Sequence, residues 1–258
     1  MRALYTAATG MKAQQLKVDS VANNIANVNT TGFKKTDAQF EDLYYEKVRS
    51  GTGATQQGTT AANTVEVGHG ARASQVRRDF RQGALQATSN PTDMAIQGDG
   101  FFPIIDPQGQ ELFTRTGNFS LDAQGQLVLP NGMAMAGGLQ INGEFDYISV
   151  DAEGTIKTHL GETETPVGQV QLRTFVNPAG LSALGGGLYQ ATEASGVAQV
   201  AIAGTEGVGT IQSGMLEMSN VDIAEELIAM IQAQRAYELT GKVIETGDQM
   251  MQTTNQLK

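Results

Sequence analysis

The chain has 258 residues, and 17 Lys and Arg against 27 Asp and Glu leave a formal charge of −10 at pH 7. So acidic a balance excludes general binding to nucleic acid or anionic membrane, which needs a basic face. The absence of cysteine excludes disulfides, thiolate zinc sites, iron–sulfur clusters and cysteine nucleophiles. Glycine is plentiful at 31 residues, tryptophan is absent and aromatics make up 6%. That composition favours short strands joined by turns over a compact enzyme core. No apolar run approaches the ~18 residues of a membrane span. Lys12, Gln14, Gln15 and Lys17 break up the apolar stretch a cleaved signal peptide would need.

The first element is an N-terminal helix. Leu4, Met11, Val18 and Ile25 recur every seven residues, and Ala7, Gln14, Val21 and Val28 interleave with them. This is a heptad seam over four repeats, about 40 Å long at 1.5 Å per residue. Asn29-Thr30-Thr31-Gly32 should stop it, with Gly32 as a left-handed cap. Next comes a small, uncharged stretch within Arg49–Gly70, read as a linker or extended arm. Arg72, Arg77, Arg78 and Arg81 follow it as a possible contact patch for an acidic neighbour, against the plainer reading of a solvated face.

The middle of the chain reads as strands. Asp106–Gly109, Asp122–Gly125 and Asp151–Gly154 repeat an Asp-x-x-Gly pattern, which fits a type I turn closed by a left-handed glycine. Further strands are expected over 145–150, 155–160, 167–176, 197–203 and 209–216. No helical pattern lies between them, so a parallel α/β sheet is not expected.

The C-terminus repeats the helical design. Ser219, Asn220 and Asp222 offer N-cap side chains, and Glu225 and Glu226 face the positive end of the helix dipole. Both glutamates read as solvated. Ile223, Met230, Tyr237, Ile244 and Met251 recur every seven residues, a second row of Ala229, Ala236, Val243, Met250 and Leu257 runs beside them, and Leu227 and Ile231 belong to the same assembly face. Between the rows runs a groove of small residues, Ala233, Thr240, Gly247 and Thr254. Charge is uneven: residues 1–50 carry +2, 217–258 carry −4 and the middle carries −8. Opposite signs on the terminal helices favour their pairing.

No catalytic constellation is present. His69 and His159 are far apart, neither has a helical His partner, and there is no G-x-S-x-G or phosphate loop. No catalytic, cofactor-binding or metal-binding residues are assigned, no cofactor is expected, and the chain is read as not an enzyme. The two seams are the strongest signal. The C-terminal face is wider than one partner helix can cover, so it asks for other copies, and a non-closing head-to-tail contact makes a filament.

Particular blocks then resemble a known family. Residues 20–34, with Asn23, Asn24, Asn27, Thr31, Gly32 and Phe33, are similar to the N-terminal signature of bacterial flagellar rod and hook axial proteins. Residues 95–102 and 114–122 resemble its β-domain blocks, and 214–222 and 230–238 its C-terminal block. Length, linker and the Phe40–Tyr45 segment look most like the distal rod branch, with the proximal rod or a hook-family paralogue as the neighbouring reading. A secreted β-rich binding module on a helical stalk is the alternative from another class. At 240–242 the sequence departs from the family by a helix-weakening Gly241, which would mark a bend or a close helix contact.

The resemblance implies a hollow helical homopolymer with paired terminal helices innermost, lining an export channel, and β domains outside. It implies neighbouring rod and hook proteins, L- and P-ring proteins where present, and the flagellar type III export apparatus as partners. It places the rod across the periplasm, delivered without a cleaved signal peptide and transmitting torque from motor to hook. The expected fold is α+β: coiled-coil-like terminal helices in a discontinuous helical domain (1–45 plus 215–258), a linker (46–70) and a mostly antiparallel β-rich outer domain (71–214).

Overall fold

A computed structural model of the chain describes residues 2–49, 65–141, 143, 145–161, 163–205 and 207–256. Most of the expected linker, residues 50–64, lies outside the described residues, as does Leu257. The chain forms two compact units, one of Met1–Ile25, Thr36–Arg77 and Asp222–Lys258, the other of Ala26–Lys35 and Arg78–Val221.

The first unit holds two long helices, α1 (Arg2–Ala26) and α2 (Ile223–Gln256). α1 ends earlier than its seam implied, so Val28 falls in the following turn rather than on the helix. Gly32 does adopt a left-handed φ of +67°, but six residues beyond the helix end. It is therefore not the helix cap. A Cβ there would lie 2.9 Å from the Thr116 backbone nitrogen, so close backbone approach requires the glycine. α2 begins as its caps foretold: Asp222 Oδ1 accepts from the Ala224 amide at 2.8 Å and from that of Glu225 at 3.3 Å. It runs unbroken through Gly241, where an added Cβ would meet Met11 Cε at an ordinary 3.9 Å. Gly241 is not the tightest glycine contact of the helix pair. That contact is at Gly247, whose missing Cβ leaves room for Leu4.

Four strands complete this unit. Thr36–Asp42 pairs with Ala71–Arg78, and Tyr45–Arg49 pairs antiparallel with Val65–Gly68. The two ends of the expected arm are thus held in one ladder.

The second unit is β-rich, and its registered strand pairings among the described residues are antiparallel. A seven-stranded sheet runs Ser182–Gly185, Leu188–Gln190, Glu111–Thr114, Phe102–Ile105, Ala134–Met135, Leu127–Val128, Ser120–Leu121. A three-stranded sheet follows over Tyr147–Val150, Thr155–Leu160 and Thr163–Gln169, with three two-stranded ribbons beside them. All three Asp-x-x-Gly turns form as read, each glycine donating its amide to the Asp carbonyl at 2.8–3.1 Å with φ of +74° to +82°. The expected strand 167–176 is divided, because Thr163–Gln169 pairs with Thr155–Leu160 while Gln171–Thr174 pairs with Gln199–Ile202.

Alternation builds two cores. Neighbouring strand residues point to opposite faces, so Phe102 enters a large cluster with Met94, Ile96, Ile104, Phe119, Ile156, Leu172 and Ile211. Phe101 enters a smaller one with Phe113, Leu181 and Tyr189. In the second cluster Phe80, Phe101, Phe113, Phe175 and Tyr189 pack edge to face at 4.8–6.1 Å between ring centroids, the arrangement ring quadrupoles favour.

Candidate assembly site

The helix pair of the first unit keeps one antiparallel register. Leu4 meets Gly247, Gly10 meets Thr240, Met11 meets Gly241, and Asn24 meets Glu226. The small-residue groove faces α1, with Ala233 buried and Thr240 and Gly247 half-buried. Gln15, Val18, Gln234, Tyr237 and Glu238 line an apolar groove of about 320 Å³ along the same seam.

The residues singled out for the N-terminal seam differ in exposure. Ala7 and Val21 are buried, and Leu4, Met11, Val18 and Ile25 are half-buried. A second covered face of α1 carries Ala13, Ser20 and Asn24. Ser20 Oγ donates to the Thr36 carbonyl, and Lys17 pairs with Asp37. On α2, Met230, Ile244 and Met251 are half-buried, whereas Ile223, Leu227, Ile231, Tyr237 and Val243 are exposed. Exposed Ile228, Leu239 and Met250 add to that surface. α1 covers a strip of α2, and a broad apolar strip remains open.

Glu226 departs from its solvated reading. It is 2% exposed, and its Oε2 accepts from Asn24 Nδ2 at 3.0 Å. Asn24 is equally enclosed and fully engaged: Nδ2 also donates to the Thr36 carbonyl at 2.8 Å, while Oδ1 accepts from the Thr36 amide at 2.9 Å. The signal was present in the sequence, because Glu226 heads the seven-residue row of Ala233, Thr240 and Gly247.

In the second unit, other signature residues meet in a buried charge cluster that the sequence reading missed. Lys34 Nζ donates to Glu217 Oε1 at 2.7 Å and to the Arg81 carbonyl at 2.9 Å. The Gly83 amide donates to the same Oε1 at 2.9 Å, and Arg115 Nη1 reaches Oε2 at 3.5 Å. The Arg115 guanidinium lies 5.2 Å over the Phe101 ring, a cation–π contact. All three charged side chains are enclosed, at 0–2% exposure. Burial lowers the Lys34 pKa below its usual value, Glu217 opposes that shift and Arg115 adds to it. Around them the Gly32 amide donates to the Glu217 carbonyl at 2.7 Å, and the Lys35 amide to Asn220 Oδ1 at 2.8 Å. Asn220 Nδ2 in turn donates to the Asp79 carbonyl at 2.9 Å. Segments 32–35, 79–83 and 217–220 are thereby tied together. No local periodicity links positions 34, 115 and 217, so only folding reveals the cluster.

The remaining signature residues are less enclosed. Thr31 and Phe33 are half-buried, Asn23 is exposed, and Asn27 Oδ1 accepts from the Thr30 hydroxyl at 3.2 Å. Within the arginine run, Arg72 pairs with Glu41, Arg78 lies 5.4 Å over the Tyr189 ring and Arg81 pairs with Asp79 at 2.6 Å. Arg77 lies exposed on the strand Ala71–Arg78. His159 hydrogen-bonds Ser149 Oγ at 2.8 Å and stacks on Tyr147 at 4.2 Å, but Glu164 stands 3.8 Å from its other nitrogen, beyond hydrogen-bond length. Among the described residues, no group of three or more His, Asp or Glu could hold a metal ion.

Two long helices from opposite chain ends leave an open apolar strip on α2, the kind of surface that marks proteins built to associate. Comparison with known proteins specifies the class. Residues 4–34 match the family model "Flagella basal body rod protein", 95–158 match "Flagellar hook protein FlgE/F/G D1 domain", and 212–257 match "Flagellar basal body rod FlgEFG protein C-terminal". The flagellar basal-body rod protein FlgG of Borreliella burgdorferi is 45% identical, over 100% of this chain and 99% of its own. FlgG of Caulobacter vibrioides is 44% identical over the full length of both chains. The flagellar hook protein FlgE of Helicobacter mustelae is 38% identical, but over 61% of this chain and 36% of its own. The chain belongs to the flagellar basal-body rod protein family, as a structural subunit of the flagellar rod.

Proposed function

We propose that this chain is a distal rod subunit that polymerises through its terminal helices into a rigid, hollow helical tube. The open apolar strip of α2, with Ile228, Ile231, Leu239, Val243 and Met250 between 51% and 62% exposed, is the observation that carries the reading. A strip of that width on a helix of 34 residues, about 50 Å long, is costly in water and is relieved when other copies cover it. Full-length likeness to rod proteins, against partial likeness to a hook protein, supports the rod over the hook.

In this reading the terminal helices pair as a coiled coil and lie innermost around the export channel. Helical core (1–45 plus 215–258), linker (46–70) and β-rich outer part (71–214) keep separate roles. Torque passes from motor to hook through many contacts per subunit, with no reactive site. The rod crosses the periplasm, delivered by the type III export apparatus without a cleaved signal. Neighbouring rod and hook proteins join it end to end, and L- and P-ring proteins surround it. Arg77, with the paired Arg72, Arg78 and Arg81, would face an acidic neighbour in the lattice.

Electron microscopy of the assembled polymer tests the reading and should show paired terminal helices innermost. Replacing Ile231 and Ile244 by Asp should abolish polymer formation and leave the β-rich unit folded by near-UV circular dichroism. Normal polymers from that variant would sink the proposal.

A further inference from the structure

The seams of α1 and α2 are degenerate in register. Leu4, Met11, Val18 and Ile25 repeat every seven residues, as do Met230, Tyr237, Ile244 and Met251. Sliding one helix by seven residues therefore sets apolar rows against apolar rows again. Apolar burial alone discriminates weakly among such slips. Something else must select the observed register, in which Gly10 faces Thr240 and Leu4 fills the space at Gly247.

We propose that the buried Asn24–Glu226 hydrogen bond is the register determinant of the terminal helix pair. Both side chains are enclosed, at 1% and 2% exposure, whereas Gln15, Gln234 and Glu238 along the same seam are exposed. The carboxylate accepts only at this register from the Asn24 amide, 3.0 Å away. Asn24 cannot turn away to compensate, because its amide is also fastened to the Thr36 backbone at both ends. A slip of seven residues one way sets Asn24 against Ala233 and carries Glu226 past the end of α1. The opposite slip sets Glu226 against Lys17, already engaged by Asp37, and carries Asn24 past the start of α2. Either slip breaks the Asn24–Glu226 hydrogen bond, and a buried polar group that loses its partner is disfavoured. A single buried polar residue fixing helix register is a known device of apolar seams. The inference concerns pairing within one chain and stands or falls independently of the rod reading.

The cysteine-free sequence makes the test unambiguous. Three reporter pairs are introduced into the full chain: Gly10→Cys with Thr240→Cys for the observed register, and Gly10→Cys with Ala233→Cys or with Gly247→Cys for a slip either way. Intrachain disulfides are read as monomer bands on non-reducing gels, with helix content followed by circular dichroism. In the parent, only the first pair should close. With Asn24→Leu and Glu226→Leu added, helix content should persist while closure of the first pair falls by about threefold or more and a slip pair closes. Glu226→Gln, which keeps an acceptor for the amide, should restore closure of the first pair alone. Unchanged, exclusive closure of the first pair in the double-leucine variant would overturn the proposal. Loss of helix in that variant would overturn it too, by making the pair a stability element rather than a selector.

Discussion

Phe102 and Ile231 are both large apolar side chains, yet one is 0% exposed and the other 58%. The first belongs to a unit that completes its own core. Its strands alternate so that adjacent residues serve two clusters, and the turns between them are short enough to return each strand to its neighbour. The second belongs to a unit whose longest element has only Glu226 and Ala233 fully buried among its described residues. A β-rich fold can close on itself because its elements are short and numerous. A helix of 34 residues with one long partner cannot, because a cylinder offers several faces and one neighbour covers one of them. The contrast separates what holds a subunit together from what is left for its neighbours.

The sharpest way to break this contrast is at Glu217. Glu217→Leu would leave Lys34 and Arg115 as buried cations without their shared carboxylate. A loss of about 3–5 kcal/mol is expected for breaking such a buried pair, and urea unfolding followed at near-UV wavelengths measures it. A cost under about 1 kcal/mol would show that the cluster is not integral to the unit. The helical unit should respond oppositely to Gly241→Ala. Room exists beside Met11, so helix propensity should add about 1 kcal/mol, seen as a higher helical melting midpoint. A drop instead would mean that the helix approach is tighter there than 3.9 Å to Met11 implies.

Smaller still is the effect of Leu239→Gln on the same helix. Leu239 is 61% exposed, so the subunit should change by no more than ~0.5 kcal/mol, while polymer formation, read by sedimentation, should weaken measurably. The smallest effect concerns acid. The hydrogen bond from Arg81 holds the Asp79 carboxyl below its ordinary value of 3.8. Its contribution is therefore present above that value and is lost as pH falls through the lowered one. Asp79→Asn should flatten acid unfolding only in that window, by under ~0.3 kcal/mol, since Arg81 is largely exposed. Identical acid curves for parent and variant would remove the pair from the stability account.

Much of this was legible before folding. Seven-residue spacing and cap residues announced where α2 begins, and three Asp-x-x-Gly turns formed where the pattern placed them. The misreadings are informative. Val28 continued the α1 seam in spacing, but the chain turns after Ala26 so that Gly32 can meet the Thr116 backbone. Glu226 looked solvated because a carboxylate in a first turn is well placed for the dipole wherever it points. Residues 167–176 read as one strand, but Thr163–Gln169 and Gln171–Thr174 pair with different partners.

From the sequence alone came the elements, the pairing ends, the absence of thiol chemistry and the resemblance to an axial structural family. These follow from short-range rules: periodicity, capping and turn geometry act over fewer than ten residues, and composition acts over none. What only the tertiary structure decided is where charge and register are resolved. Lys34, Arg115 and Glu217 share one buried site although they are separated by most of the chain. Asn24 finds Glu226 across 202 positions. Periodicity sets Glu226 on the covered row but names no partner for it; such meetings exist because burial withholds water from each group and leaves a distant side chain as its partner.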